Sequence, residues 1–250
     1  MIKNISRTPR VYTPAPLSQD QPTALSPDQA HYLSRVMRLA IGDYVRAFNA
    51  NDGEWLCAIE QVSKRGCIVR ASEKLREPQT LPDIEYLFAP LKTARLDYLA
   101  QKATEMGAAH LRPVLTEYTQ IRRLKQERLI ANTIEAAEQC NLVAVPKVSE
   151  LQKLDRVLDG WSEGETSIRQ LIFCDESAAS SSPLDILSQF AGRPVALLVG
   201  PEGGFSGRER TRLLSQNYVT PISLGPRIMR ADTAAVAALA VLQATIGDWA

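Results

Sequence analysis

The chain is poor in the residues that build metal and thiol chemistry, with four cysteines and two histidines among its 250 residues. Cys57, Cys67, Cys140 and Cys174 stand far apart with no C-x-x-C pair, and His31 and His110 add only two nitrogen ligands. This argues against a cysteine/histidine zinc site, and nothing marks a carboxylate metal site. Long hydrophobic runs are missing too. The longest, Ala234 to Leu242, falls far short of the ~20 residues needed to cross a bilayer. The opening stretch MIKNISRTPRVYTPAP has no apolar signal core, which predicts a cytoplasmic protein without a membrane role. Neither G-x-x-x-x-G-K-[ST] nor G-x-G-x-x-G occurs, so neither a P-loop NTPase nor a standard dinucleotide fingerprint is present.

What is there is ordinary for a globular protein: 45% hydrophobic and 23% charged residues, enough chain for one large domain or two modest ones. The net charge of +1 divides unevenly. Residues 1–75 carry ten Lys/Arg against seven Asp/Glu, and residues 76–250 carry 19 against 21. A mildly basic first part suits RNA phosphate or an ordinary solvated surface.

Residues 1–75 read as a small β-rich domain. Strands are expected at Arg10–Thr13, Tyr44–Phe48, Trp55–Val62 and Gly66–Ala71, with Asp52-Gly53 as a hairpin signal. Ser26-Pro27 starts one helix, expected to run through His31–Leu39 and to bury Leu33, Val36 and Met37. Short strands around one helix suggest a small barrel. Residues 76–82, polar and holding two prolines, read as a linker.

From residue 83 to 250 strand-like runs alternate with helical ones. Strands are expected at Ile84–Ala89, His110–Leu115, Gln170–Cys174, Val195–Gly200 and Val219–Leu224. Helices are expected at Ala94–Met106, Gln126–Gln139, Leu151–Leu158, Pro183–Phe190, Gly207–Gln216 and Arg230–Ile246. Such alternation predicts a parallel sheet with helices on both faces, whose ligands bind at the carboxyl ends of strands. Two glycine-proline loops lie there. Gly200-Pro201-Glu202-Gly203-Gly204 follows one strand, and Gly225-Pro226-Arg227-Ile228-Met229-Arg230 follows another.

The segment LLVGPEGGFSGRE, followed by LGPRIMRADTAAVAALAVLQATIGD, resembles the signature of RsmE-type ribosomal RNA methyltransferases of the SPOUT superfamily. The likeness continues upstream in PLKTARLDYLAQKATEMGAAHLRPVLTEYTQ and EAAEQCNLVAVP, and HYLSRVMRLAIGDYVRAF is similar to the family's PUA-like domain. The resemblance implies an α/β chain: a PUA-like β-barrel RNA-binding domain, then a SPOUT methyltransferase domain with a C-terminal trefoil knot. It further implies a homodimer, S-adenosylmethionine (SAM) as cofactor, and methylation at N3 of one uridine in small-subunit (16S) ribosomal RNA. A ribose 2′-O-methyltransferase and a non-catalytic RNA-binding ribosome-assembly factor are the alternative readings.

Carried onto this sequence, the resemblance assigns cofactor binding to Leu198, Val199, Gly200, Pro201, Glu202, Gly203 and Gly204. The second loop adds Leu224, Gly225, Pro226, Arg227, Ile228, Met229 and Arg230. RNA contacts fall on Arg10, His31, Arg35, Arg38 and Lys92. Arg35 and Arg38, three apart, would share one helix face. Three positions depart from the family pattern. Met229 and Asp232 stand where leucine and glutamate are expected, and no arginine follows Gln139 in Cys140-Asn141-Leu142-Val143-Ala144-Val145.

An activated methyl donor needs neither metal nor covalent nucleophile; alignment and exclusion of water suffice. Uracil N3 must lose its proton, which leaves negative charge on the flanking carbonyl oxygens. Arg230, at the start of a helix, is the candidate to stabilise that charge. Glu202 is the candidate proton acceptor, and His31 and His110 are poorer ones. With 6% aromatic residues, recognition of folded RNA shape is expected over stacking on a bare single strand.

Overall fold

The computed structural model describes residues 5–63, 66–161, 169–178 and 182–250. It divides into two compact units, one made of Met1–Thr80 with Ala137–Val145 and the other of Leu81–Ala136 with Pro146–Ala250.

The first unit holds β1 (Arg10–Tyr12), β2 (Pro22–Leu25), α1 (Pro27–His31), β3 (Tyr44–Asn49), β4 (Gly53–Val62) and β5 (Cys67–Arg76). These strands form one sheet in the order β1-β3-β4-β5-β2. β1 pairs parallel to β3, and the other pairings are antiparallel. Among the described residues no ladder joins β1 to β2, so the expected closed barrel is an open five-stranded sheet here. Its core gathers Val11, Leu33, Val45, Ala47, Cys57, Ile59 and Val69. The β3–β4 hairpin turns where Asp52-Gly53 predicts, with Asn49 Oδ1 accepting from the amides of Asn51 at 2.9 Å and Asp52 at 2.8 Å.

Ser26 caps α1 through a capping box with Gln29, and Pro27 opens the helix. Beyond His31 the helix widens into a π-turn over Tyr32–Val36. The expected apolar face does not form, because only Leu33 is buried while Val36 is 62% and Met37 38% exposed. Arg38 follows the last turn in a left-handed conformation, φ +56°, so it does not share a helix face with Arg35.

The end of a long helix and the loop after it belong with this unit. Arg10 is why. Its Nε donates to Glu54 Oε1 at 2.7 Å. Its Nη atoms donate to the carbonyls of Ala137 (2.7 Å), Glu138 (2.9 Å) and Leu142 (2.7 Å). The guanidinium lies over Phe48, 4.3 Å from the ring centroid, and Arg76 donates to Asn141 O at 2.7 Å. The chain therefore does not divide by a single cut near residues 76–82.

The second unit holds β6 (Ile84–Phe88), α2 (Thr93–Glu105), β7 (His110–Leu115), α3 (Gln126–Gln139, whose last three residues join the first unit), β8 (Lys147–Val148), β9 (Gln152–Lys153) and α4 (Leu154–Asp159). It continues with β10 (Gln170–Cys174), α5 (Pro183–Leu187), β11 (Val195–Val199), α6 (Gly207–Leu214), β12 (Val219–Ile222) and α7 (Ala231–Ile246). All its pairings are parallel, in the order β12-β10-β11-β6-β7-β8, with β9 also against β7. β6 and β11 are buried at every residue, as strands covered on both faces must be. One face packs Tyr86, Phe88, Leu197 and Val199 against α2 and α7, and the other packs Leu87, Phe173, Ala196 and Leu198 against α4 and α6. Among the described residues no helix is long and apolar enough to cross a membrane.

Candidate functional site

A cavity of about 510 Å³ opens at the carboxyl ends of β10, β11 and β12. Its wall is built by Cys174 to Ser177 after β10, Val199 to Phe205 after β11, and Ile222 to Met229 after β12, with Arg210, Ala231 and Ala234 from α6 and α7. Twelve of the fourteen residues assigned to cofactor binding therefore line one space. The other two do not. Leu198 is wholly buried and packs on the α4/α6 face of the sheet, because strand side chains alternate and Val199 takes the cavity side. Arg230 lies outside the lining, as the exposed N-cap of α7.

Local sequence explains the loop shapes. An alanine Cβ at Gly200 would fall 2.6 Å from Phe205 Cε2, so the loop folds back on itself only where no side chain intervenes. Gly225, at φ +106°, holds a conformation that L side chains rarely adopt. Ser206 and Glu209 then form a capping box that starts α6, and Glu209 Oε1 also accepts from the Glu117 amide at 2.8 Å. This ties the loop after β11 to the loop after β7.

The charged groups are paired in a way sequence reasoning missed. Asp175, 6% exposed in the cavity wall, accepts from Arg210 Nε at 3.0 Å and from the Ser177 amide at 3.0 Å. Arg210 is held above its ordinary value by that carboxylate. Glu202 Oε1 accepts from Arg95 Nη1 at 3.0 Å, and Arg95 Nε lies 3.9 Å from Asp232 Oδ2. Arg230 takes neither carboxylate, and its side chain makes no hydrogen bond or ion pair among the described residues. Burial pushes the Cys174 thiol up to about 12, so it lines the cavity as a neutral group. No cluster of three or more His, Cys, Asp or Glu is placed to hold a metal among the described residues.

Of the residues assigned to RNA, His31, Arg35, Arg38 and Lys92 are exposed. Arg10 is corrected: it is 6% exposed, and four of its five N–H donors are bound inside the first unit. The missed residue Arg95 lay within PLKTARLD, three positions after Lys92; only its long-range partners mark it out.

The sequence of residues 77–243 matches the model of the RNA methyltransferase domain, and residues 25–72 match that of the RNA methyltransferase PUA domain. The chain is 31% identical to Ribosomal RNA small subunit methyltransferase E of Rickettsia conorii, over 92% of this chain and 93% of that one. It is 28% identical to the Bacillus subtilis protein of the same name, over 90% and 91%. Among solved structures it is similar to a putative methyltransferase of Legionella pneumophila in complex with its bound cofactor SAM, with a TM-score of 0.81, 31% identity, and 95% and 98% of the two chains covered. Two domain models in the right order and a relative at 31% identity across nearly the whole length are decisive: this chain belongs to the ribosomal RNA small subunit methyltransferase E family.

Proposed function

We propose that this protein methylates N3 of one uridine in small-subunit (16S) ribosomal RNA with SAM as donor. The observation that carries the reading is the cavity at the strand ends, walled by both glycine-proline loops. About 510 Å³ falls within the roughly 300–1,000 Å³ of small-molecule sites. Exposed loop backbone beside Val199, Leu224 and Met229 offers the mixed polar and apolar wall that a nucleoside joined to an amino-acid tail requires. The residues fit the group.

When bound, SAM supplies an activated methyl group. The chain's part is to hold and align. Gly200 to Gly204 and Leu224 to Met229 form the cradle, and the ion pair between the buried Asp175 and the half-exposed Arg210 stiffens its wall. Arg230, unpaired at the start of α7, is free to turn toward the uracil carbonyl oxygens and stabilise their charge as N3 loses its proton. Glu202 is the carboxylate for that proton: its Oε1 is bonded to Arg95, and its Oε2 takes no hydrogen bond among the described residues. His31, Arg35, Arg38 and Lys92, all exposed, carry the contacts to RNA phosphate.

Three finer features belong to the same reading. The first sheet is the open part of a PUA-like barrel. The chain from β10 to α7 forms a trefoil knot, a reading supported by the insertion of β11 between β10 and β6 and the return to β12 at the far edge. The protein is a homodimer that acts in the cytoplasm without metal. α7 buries Ala235, Ala238, Leu239 and Leu242 in its own core yet leaves Val236, Ala237 and Ala240 half-buried. A second copy would cover that apolar side.

The test is direct titration of SAM into the purified protein, with Gly225→Val as the cavity-blocking variant. Saturable binding by the native protein that the variant loses is expected. A protein that binds no SAM would overturn the reading.

A further inference from the structure

Three elements that are distant in sequence meet at one guanidinium. Arg95 sits in the first turn of α2, Glu202 in the loop after β11, and Asp232 in the first turn of α7. Arg95 Nη1 bonds Glu202 Oε1 at 3.0 Å, and its Nε stands 3.9 Å from Asp232 Oδ2. Glu202 lines the cavity, and Asp232 follows Ala231, which also lines it. Among the described residues no other side-chain hydrogen bond or ion pair links the loop after β11 to the start of α7.

We propose that Arg95 is a positioning residue: one guanidinium shared by two carboxylates fixes the spacing between the loop after β11 and the start of α7, on either side of the cofactor cavity. This inference rests on the reading of the cavity as the SAM site. The side chains of Arg95, Glu202 and Asp232 are 40%, 35% and 17% exposed, so the cluster adds little to fold stability. Its effect lies in order. Without Arg95 two neighbouring carboxylates of like charge lose their shared cation, the loop after β11 and the start of α7 separate, and SAM must reorder them as it binds. A lysine at 95 has one compact charge and no fork, so it reaches one carboxylate at a time.

The expected result is a SAM Kd about tenfold higher for Arg95→Ala, with Arg95→Lys in between. Thermal midpoints should stay within roughly 2 °C of the native protein. Arg70→Ala removes an equally exposed arginine, paired with Glu60 in the first unit, and should leave SAM affinity unchanged. The decisive arm is a cycle in the Glu202→Gln/Asp232→Asn background. There, Arg95→Ala should change Kd by less than about twofold, since the groups through which it acts are neutral. An unchanged Kd for Arg95→Ala in the native background overturns the proposal while leaving the SAM site standing. The same tenfold loss in both backgrounds overturns it too, because Arg95 would then act without the carboxylates. If the native protein binds no SAM, the reading of the cavity fails first and the proposal with it.

Discussion

Replacing Gly200 with alanine sets a methyl carbon 2.6 Å from Phe205 Cε2 and 3.1 Å from its Cδ2 and Cζ. Carbon atoms in ordinary contact stand about 3.5–4.0 Å apart. Gly200 does not have a positive φ, so the backbone can accept alanine and the cost is purely steric. The half-buried ring lines the cavity, so it must yield toward that space. It meets Phe173 edge-on with centroids 5.0 Å apart, and Phe173 is 1% exposed in the core. Overpacking of this kind costs about 1–3 kcal/mol, which corresponds to roughly 2–4 °C of Tm per kcal/mol in a chain of this size. Phe205 belongs to the loop that walls the cavity, so displacing its ring moves the loop and weakens SAM binding together with stability. Phe205→Leu removes the colliding ring edge. In that background Gly200→Ala should cost at least about 1 kcal/mol less than in the native protein, the size of coupling that contacting residues show. Chemical denaturation and SAM calorimetry on the four proteins of the cycle measure both effects. Equal costs with and without the ring would refute the steric reasoning.

Further outcomes follow from the buried charges and the exposed arginines. Burial pushes the Glu85 carboxyl up, but the His110 hydrogen bond and the charges of Arg112, His110 and Arg169 outweigh it, and the net shift is downward. A folded-state value below the unfolded one means stability that is present above the ordinary glutamate range and lost as pH falls through it. Glu85→Gln should therefore cost about 2–3 kcal/mol at pH 7, with the gap to the native protein closing below about pH 4 in urea titrations. Arg10→Ala frees three carbonyls and removes one of the three arginines around the buried Glu54, which keeps Arg46 and Arg76, and should destabilise by about 2–4 kcal/mol; a variant as stable as the native protein would contradict its structural assignment. Arg35→Ala should leave Tm unchanged while RNA affinity falls and the salt slope of binding shrinks by about 1. Arg230→Ala should lower kcat by about 10²-fold or more with SAM Kd unchanged, checked by stopped-time methyl-transfer assays beside calorimetry.

Much of the second unit was legible because its strands are short, apolar and buried on both faces. Val195–Val199 could be read from the sequence alone. β8 and β9, two residues each, carry no periodicity to detect. β2 opens on Pro22 and, among the described residues, pairs with β5 alone, the kind of edge strand that proline usually disguises. Ser26 and Pro27 mark the helix start in the sequence, but no periodicity signals the π-turn that shifts Val36 and Met37 out of the apolar face. Both glycine-proline loops of the cavity wall could be found from glycine, proline and strand ends. The charge network around them could not. Arg95 and Glu202 are 107 residues apart, and Arg10 and Leu142 are 132 apart, so only the fold assigns their partners. Arg10 shows the limit of carrying a role over by resemblance: an arginine expected at RNA is the anchor of a buried network.

The most direct test of the central claim is to incubate the protein and SAM with small ribosomal subunits that lack uridine-N3 methylation, then identify the modified nucleoside by mass spectrometry. The account predicts 3-methyluridine, formed by the native protein and lost in Arg230→Ala although that variant stays folded and binds SAM. A ribose-methylated nucleoside, or no methylated product from a protein that binds SAM and the subunit, would contradict it.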